Sequence, residues 1–128
     1  MKLITQEWVE KAEEDWEIVL LALGSPQSKV YNAICFHAQQ CAEKYLKAQL
    51  QEEGSAIPKT HDLEKVLDLL LPSHPLWSTL RLALETLTTY AVDFRYPGDS
   101  ADKAEAEEAV KLCRSVRETV RFGFGLPV

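Results

Sequence analysis

Between Lys29 and Glu53 the chain runs for 25 residues without a glycine or a proline. At 3.6 residues per turn that is about seven turns of helix, and Val30, Ala33, Ile34, His37, Cys41, Tyr45 and Ala48 fall on adjoining faces of it. A helix with so broad an apolar surface needs covering elements on more than one side. The rest of the sequence supplies them. From Thr5 to Leu23, the residues Trp8, Ala12, Trp16, Val19 and Leu23 recur at spacings of three or four, the stripe of an amphipathic helix. The turn-forming run Gly24-Ser25-Pro26-Gln27-Ser28 predicts a reversal before the long helix.

After the loop Gly54 to Lys59, Thr60 is the expected cap of a short helix bearing Leu63, Val66, Leu67 and Leu70, closed by Leu71-Pro72. Trp77, Leu80, Leu84, Leu87, Ala91 and Phe94 then predict a fourth helix running to Pro97-Gly98. A fifth, about Ala101 to Phe122 and capped by Ser100 or Asp99, places Ala109, Leu112, Cys113, Val116 and Val120 inward. Arg117 and Arg121 lie near its negative end. No strand-like alternation of useful length appears, so the expected fold is all-α, an antiparallel bundle of about five helices. At 128 residues it reads as a single domain over 1–128.

Charge and apolar patterning narrow the function classes. Fourteen basic against 20 acidic residues give a formal charge of −6, the wrong sign for a chain that holds extended duplex DNA by neutralising phosphates. The longest apolar stretches, such as Ile18 to Leu23, fall far short of the roughly 20 residues of a membrane span, so no membrane association is expected. Acids follow Met1 to Thr5 at once, which is unlike a secretory leader. Cys35, Cys41 and Cys113 lack Cys-x-x-Cys spacing and read as reduced core thiols of a cytoplasmic protein.

Three segments carry candidate chemistry. In Tyr90-Ala-Val-Asp93-Phe-Arg95-Tyr96-Pro-Gly98, Arg95 offers a planar guanidinium to a phosphate or carboxylate. Asp93 is close enough in sequence to restrain it, and Tyr96 adds a hydroxyl and a ring. The same residues also fit a helix C-terminal cap with an ion pair. His61-Asp62-Leu63 opens the third helix, where His61 is either a proton-transfer or hydrogen-bonding group or a packed capping residue. On the long helix Gln39, Gln40, Glu43, Lys44 and Lys47 form a polar face, read as solvated or, through Lys44 and Lys47, as a phosphate contact. His37 and Cys41 share a face at i and i+4, but with no third ligand at a recognisable spacing the expected role is a core histidine beside a thiol. No metal site and no cofactor are expected, and the common hydrolase and nucleotide-triphosphatase motifs are absent from the sequence.

Ala38-Gln-Gln-Cys-Ala-Glu43-Lys44-Tyr45-Leu46-Lys47-Ala48, His61-Asp62-Leu63 and Asp93-Phe94-Arg95-Tyr96-Pro97-Gly98 together resemble the HEPN domain family over nearly the whole chain. The resemblance implies a bundle of four or five helices and frequent homodimerisation. It also implies a minimal nucleotidyltransferase as neighbour and partner, the two forming a toxin and antitoxin pair. Nucleotide or RNA binding would fall to Arg95, with Tyr96, Asp93, His61, Lys44 and Lys47 as candidate contacts. Many members carry a metal-independent ribonuclease motif, Arg followed after four to six residues by His. Counted from Arg95 those positions are Ser100, Ala101 and Asp102, so the motif lacks its His and no catalytic residue is assigned.

Three further readings stay open beside the binding module. One is an atypical ribonuclease toxin in which His61 or Tyr96 transfers the proton. Another is a structural dimer without a ligand. In the third, Tyr90 or Tyr96 is itself modified by the partner. The fourth helix is the first place to look for a dimer face, and at least one of Trp8, Trp16 and Trp77 is expected at a subunit contact.

Overall fold

The computed structural model describes residues 1–25 and 27–128; Pro26, within the turn read from the sequence, lies outside them. Five α-helices and one 3₁₀ turn follow in order: α1 (Leu3–Leu23), α2 (Tyr31–Glu52), α3 (Leu63–Leu70), the 3₁₀ turn Pro75–Leu80, α4 (Arg81–Asp93) and α5 (Lys103–Phe124). Among the described residues there is no strand, and no helix is long and apolar enough to cross a membrane.

The long helix is the hub: α2 packs against α1, α3, α4 and α5. Its burial runs around almost the whole cylinder, with Cys35, Ala38, Cys41, Ala42, Tyr45, Leu46, Ala48 and Leu50 fully enclosed. Each large apolar side chain so enclosed contributes about 1.5–3 kcal/mol relative to exposure. The covering helices bring single stripes: Val9, Ala12, Trp16 and Val19 from α1, Leu63, Val66, Leu67 and Leu70 from α3, and Ala106, Ala109, Val110, Cys113, Val116 and Val120 from α5. α4 contributes only Leu84 and Leu87 to the buried set, which leaves Leu82 and Val92 facing solvent.

Several local expectations are corrected. The cap of α3 is Asp62, whose Oδ1 accepts from Glu64 N at 3.1 Å, while Thr60 Oγ1 accepts from Asp62 N one step earlier. The cap of α5 is Asp102, in a capping box with Glu105, rather than Ser100 or Asp99; the N3 glutamate makes Asp102 the better cap because both orphan N–H groups find a carboxylate. The fourth helix stops at Asp93 and not at Pro97-Gly98, because a residue before proline is pushed out of the helical region and the last turn unwinds ahead of it. The preceding stripe is split as well, since Trp77 and Leu80 belong to the 3₁₀ turn. Trp16 and Trp77 are buried within the chain, and Trp8 is half-buried, its Nε1 donating to Gln51 Oε1. Val30, just ahead of α2, and Ala33 are exposed and not in the core.

A polar cluster joins α1, α2 and α5. The Arg117 guanidinium grips both oxygens of Glu13 at 2.8 and 2.7 Å. Tyr45 donates its hydroxyl to Glu13 Oε2 at 2.6 Å, and Arg121 Nη1 donates to that hydroxyl oxygen at 3.0 Å. Burial pushes the Glu13 carboxyl up, but the hydrogen bonds from Arg117 and Tyr45 and the charges of Arg117 and Arg121 outweigh it and hold the group below the ordinary glutamate value. Arg117 and Arg121 also donate to the carbonyls of Val128 and Pro127, which folds the last residues back onto α5. The three cysteines are free and buried. Burial first, then the charges of Glu105 and Asp102, pushes the Cys35 thiol up to about 12, so it is a packing group and not a nucleophile.

Candidate functional site

On the α3 and α4 side of α2 lies a cleft of about 180 Å³. Phe36, Gln39 and Gln40 of α2 form its floor, Thr88, Ala91 and Val92 of α4 one wall, and His61 and Arg95 its rim. The early stop of α4 sets the position of Arg95. Phe94 and Arg95 make only the last frayed turn, through N–H bonds to Tyr90 and Val92 carbonyls at 3.3 and 3.4 Å, and the guanidinium stands outside the helix beside the cleft. Among the described residues its side chain makes no ion pair, with Asp93 or any other acid. A free guanidinium at the mouth of a cleft is disposed to meet a phosphate in a bidentate way.

His61 is fixed from beneath. Its Nδ1 lies 2.9 Å from Glu43 Oε1, and its backbone carbonyl accepts from Gln39 Nε2 at 3.2 Å. Glu43 also accepts from Gln39 Nε2 and from Lys47 Nζ, each at 3.1 Å. With donors converging on the carboxylate, the hydrogen shared with His61 is assigned to Nδ1, and Nε2 has no partner among the described residues. The ring itself is 76% exposed while the Glu43 side chain is 6% exposed. The arrangement holds an exposed imidazole on a buried carboxylate.

Three of the five residues on the polar face of α2 are therefore enclosed and not solvated, against the reading from periodicity. Gln39, Glu43 and Lys47 are all buried, because the segment before α3 lies across them and Lys47 Nζ reaches the Thr60 carbonyl at 3.0 Å. Lys47 is consumed in holding that segment. Lys44, on the adjoining stripe, reaches to α1 instead, where its Nζ meets Asp15 Oδ2 at 2.6 Å. His37 joins it through Nδ1 to Asp15 Oδ1 at 2.7 Å and is half-buried, so it pairs with an acid at the α1 boundary instead of sitting in the core beside Cys41.

Of the residues singled out from the sequence, the fold brings Arg95 and His61 to one cleft. Asp93 and Tyr96 do not line it, and Tyr96 is 68% exposed. Sequence reasoning missed Phe36, Ala91 and Val92, which read as ordinary apolar positions, and Thr88, whose hydroxyl accepts from Leu63 N and donates to the Leu84 carbonyl. The i to i+4 spacings Gln39 to Glu43 and Glu43 to Lys47 were visible signals of the buried network. Among the described residues no group of three His, Cys, Asp or Glu side chains stands close enough to hold a metal ion.

The model of a family described as HEPN domain matches residues 5–122. The crystal structure of TT1696 from Thermus thermophilus superposes with a TM-score of 0.80 at 27% sequence identity, covering 92% of this chain and 96% of that one. No curated protein matches.

Proposed function

The chain belongs to the HEPN domain family, and from that premise we propose that residues 1–128 form one HEPN domain that binds a nucleotide or an RNA segment at the Arg95 cleft. In this reading the protein is cytoplasmic, forms a homodimer and acts as one half of a toxin and antitoxin pair with a minimal nucleotidyltransferase. The observation that carries the ligand is the unpaired guanidinium of Arg95 across a cleft from an anchored His61. A cap or a structural ion pair would have committed that charge to a protein carbonyl or acid. Phe36 adds a ring face and Gln40 an amide edge, the groups with which single-stranded nucleic acid is held.

The test is equilibrium binding of adenosine 5′-monophosphate and of short single-stranded RNA, wild type beside Arg95→Ala. Binding that the substitution abolishes supports the reading, and absence of binding by wild type defeats it. Co-expression with a nucleotidyltransferase partner, followed by purification through one chain, tests the pairing.

A second reading, an atypical ribonuclease, is favoured by one specific observation: His61, anchored on Glu43, lines the same cleft as Arg95. An imidazole in that position can exchange a proton with a ribose 2′-hydroxyl while the guanidinium stabilises the phosphate. Metal-independent RNA cleavage by wild type and none by Arg95→Ala or His61→Ala would establish it. Tyr96, outside the cleft, is the weaker candidate for that proton.

A further inference from the structure

Asp15 is buried on α1, and both of its carboxylate oxygens are occupied by side chains of α2, His37 on one and Lys44 on the other. The carboxylate accepts, so His37 donates from Nδ1. Its Nε2 has no partner among the described residues. Lys44 has three N–H donors and gives one to Asp15. The two side chains remain 27% and 26% exposed. A buried acid thus holds two partly exposed hydrogen-bonding groups in place.

Their place along α2 matters. His37 lies three residues before Gln40 and Lys44 four after it, which makes each a neighbour of Gln40 on the helix surface, about 5–6 Å between Cβ atoms. Gln40 belongs to the floor of the Arg95 cleft. Phe36, on the same floor, packs edge-on against the His37 ring at 5.2 Å between centroids. The pair therefore borders the cleft on the α1 side, whereas Arg95 and His61 stand on the α3 and α4 side. The cleft alone, about 180 Å³, is smaller than the roughly 300–1,000 Å³ of common small-molecule sites, so a nucleotide with its phosphate at Arg95 extends beyond the rim.

We propose that His37 and Lys44 form a second subsite continuous with the Arg95 cleft, and that the molecule held there is a single-stranded oligoribonucleotide of two or more residues, one phosphate at Arg95 and the next at Lys44 and His37. The inference rests on the nucleotide-binding reading of the cleft and names its substrate class. The Asp15 charge is offset by the Lys44 ammonium at 2.6 Å, which reduces its repulsion of the second phosphate.

The experiment compares adenosine 5′-monophosphate with the adenylate dimer and trimer, on wild type, Lys44→Gln and His37→Gln, with a melting curve for each variant. Wild type should bind the trimer more tightly than the monomer. Each substitution should weaken the trimer by about tenfold, the loss of one hydrogen bond to a charged group, and leave the monomer unchanged. A trimer bound no more tightly than the monomer overturns the subsite while the cleft reading stands, as does a trimer affinity unmoved in both variants. Failure of every ligand to bind wild type overturns the cleft reading and the subsite together. If Lys44→Gln unfolds, the length series on wild type and His37→Gln decide the question.

Discussion

His61 Nδ1 lies 2.9 Å from Oε1 of Glu43, so an exposed imidazole of the cleft is seated on one of the most enclosed acids of the central helix. Glu43 is in turn neutralised by Lys47 at 3.1 Å, with both side chains buried. Breaking such a pair strands a charge out of water, which costs more than the pair itself contributes.

Glu43→Ala should therefore destabilise the fold by about 3–5 kcal/mol, because Lys47 is left buried without its acid. The double change Glu43→Met with Lys47→Met should recover much of that loss. Chemical denaturation of wild type and both variants is the check. A single variant as stable as wild type would mean that Lys47 escapes to solvent.

Arg95→Ala should abolish ligand binding yet change stability by no more than about 0.5 kcal/mol, the range of a surface substitution away from specific contacts. Among the described residues the guanidinium makes no ion pair. Melting curves without ligand, beside binding isotherms, separate this from a helix-cap role, in which stability would fall and binding would not be at issue.

Glu13 has its carboxyl held below the ordinary glutamate value in the folded chain, against the upward push of burial. A depressed folded value means that the stabilisation is present above the unfolded value and lost as pH falls through the folded one. Stability should thus decline on acidification below about pH 4.5, and Glu13→Gln should flatten that part of the curve while lowering stability at neutral pH. Melting temperature against pH for the two proteins is the check.

Asp102→Ala removes the side-chain half of the capping box at the start of α5, the bond from Glu105 N to Asp102 Oδ1 at 2.8 Å. The return contact from Asp102 N to Glu105 Oε1 at 3.1 Å then stands alone. A loss of about 1 kcal/mol is expected, measurable by urea denaturation, whereas Ser100→Ala and Asp99→Ala should be near neutral.

The exposed face of α4 supplies a test of the proposed dimer. Leu82 is 77% exposed and lies outside the cleft lining, so Leu82→Asp should leave the monomer fold and the cleft intact while sedimentation shifts from dimer toward monomer. An unchanged dimer would place the contact on another face.

Helix number and order were legible because apolar residues repeat at three and four, a property of the chain that no neighbour is needed to reveal. The ends were less so. Thr60, Asp62, Ser100 and Asp102 are all competent caps, and the geometry of the entering chain, together with Glu105 for α5, chose between them. Arg95 and His61 stood out individually as residues with functional chemistry, yet nothing in their spacing linked them.

What the sequence determined by itself was therefore the all-helical class, the long central helix, the family to which the pattern belongs and two of the residues at its cleft. Only the tertiary structure decided which polar residues were buried and which stayed free. The identity of a side chain fixes how many hydrogen bonds it can make, but the packing of α1, α3 and α4 around α2 fixes which partners arrive. Lys44 and Lys47, one turn apart on one helix, were thereby paired with Asp15 of α1 and with Glu43 beneath His61, while Arg95, beyond the end of α4, meets no acid among the described residues.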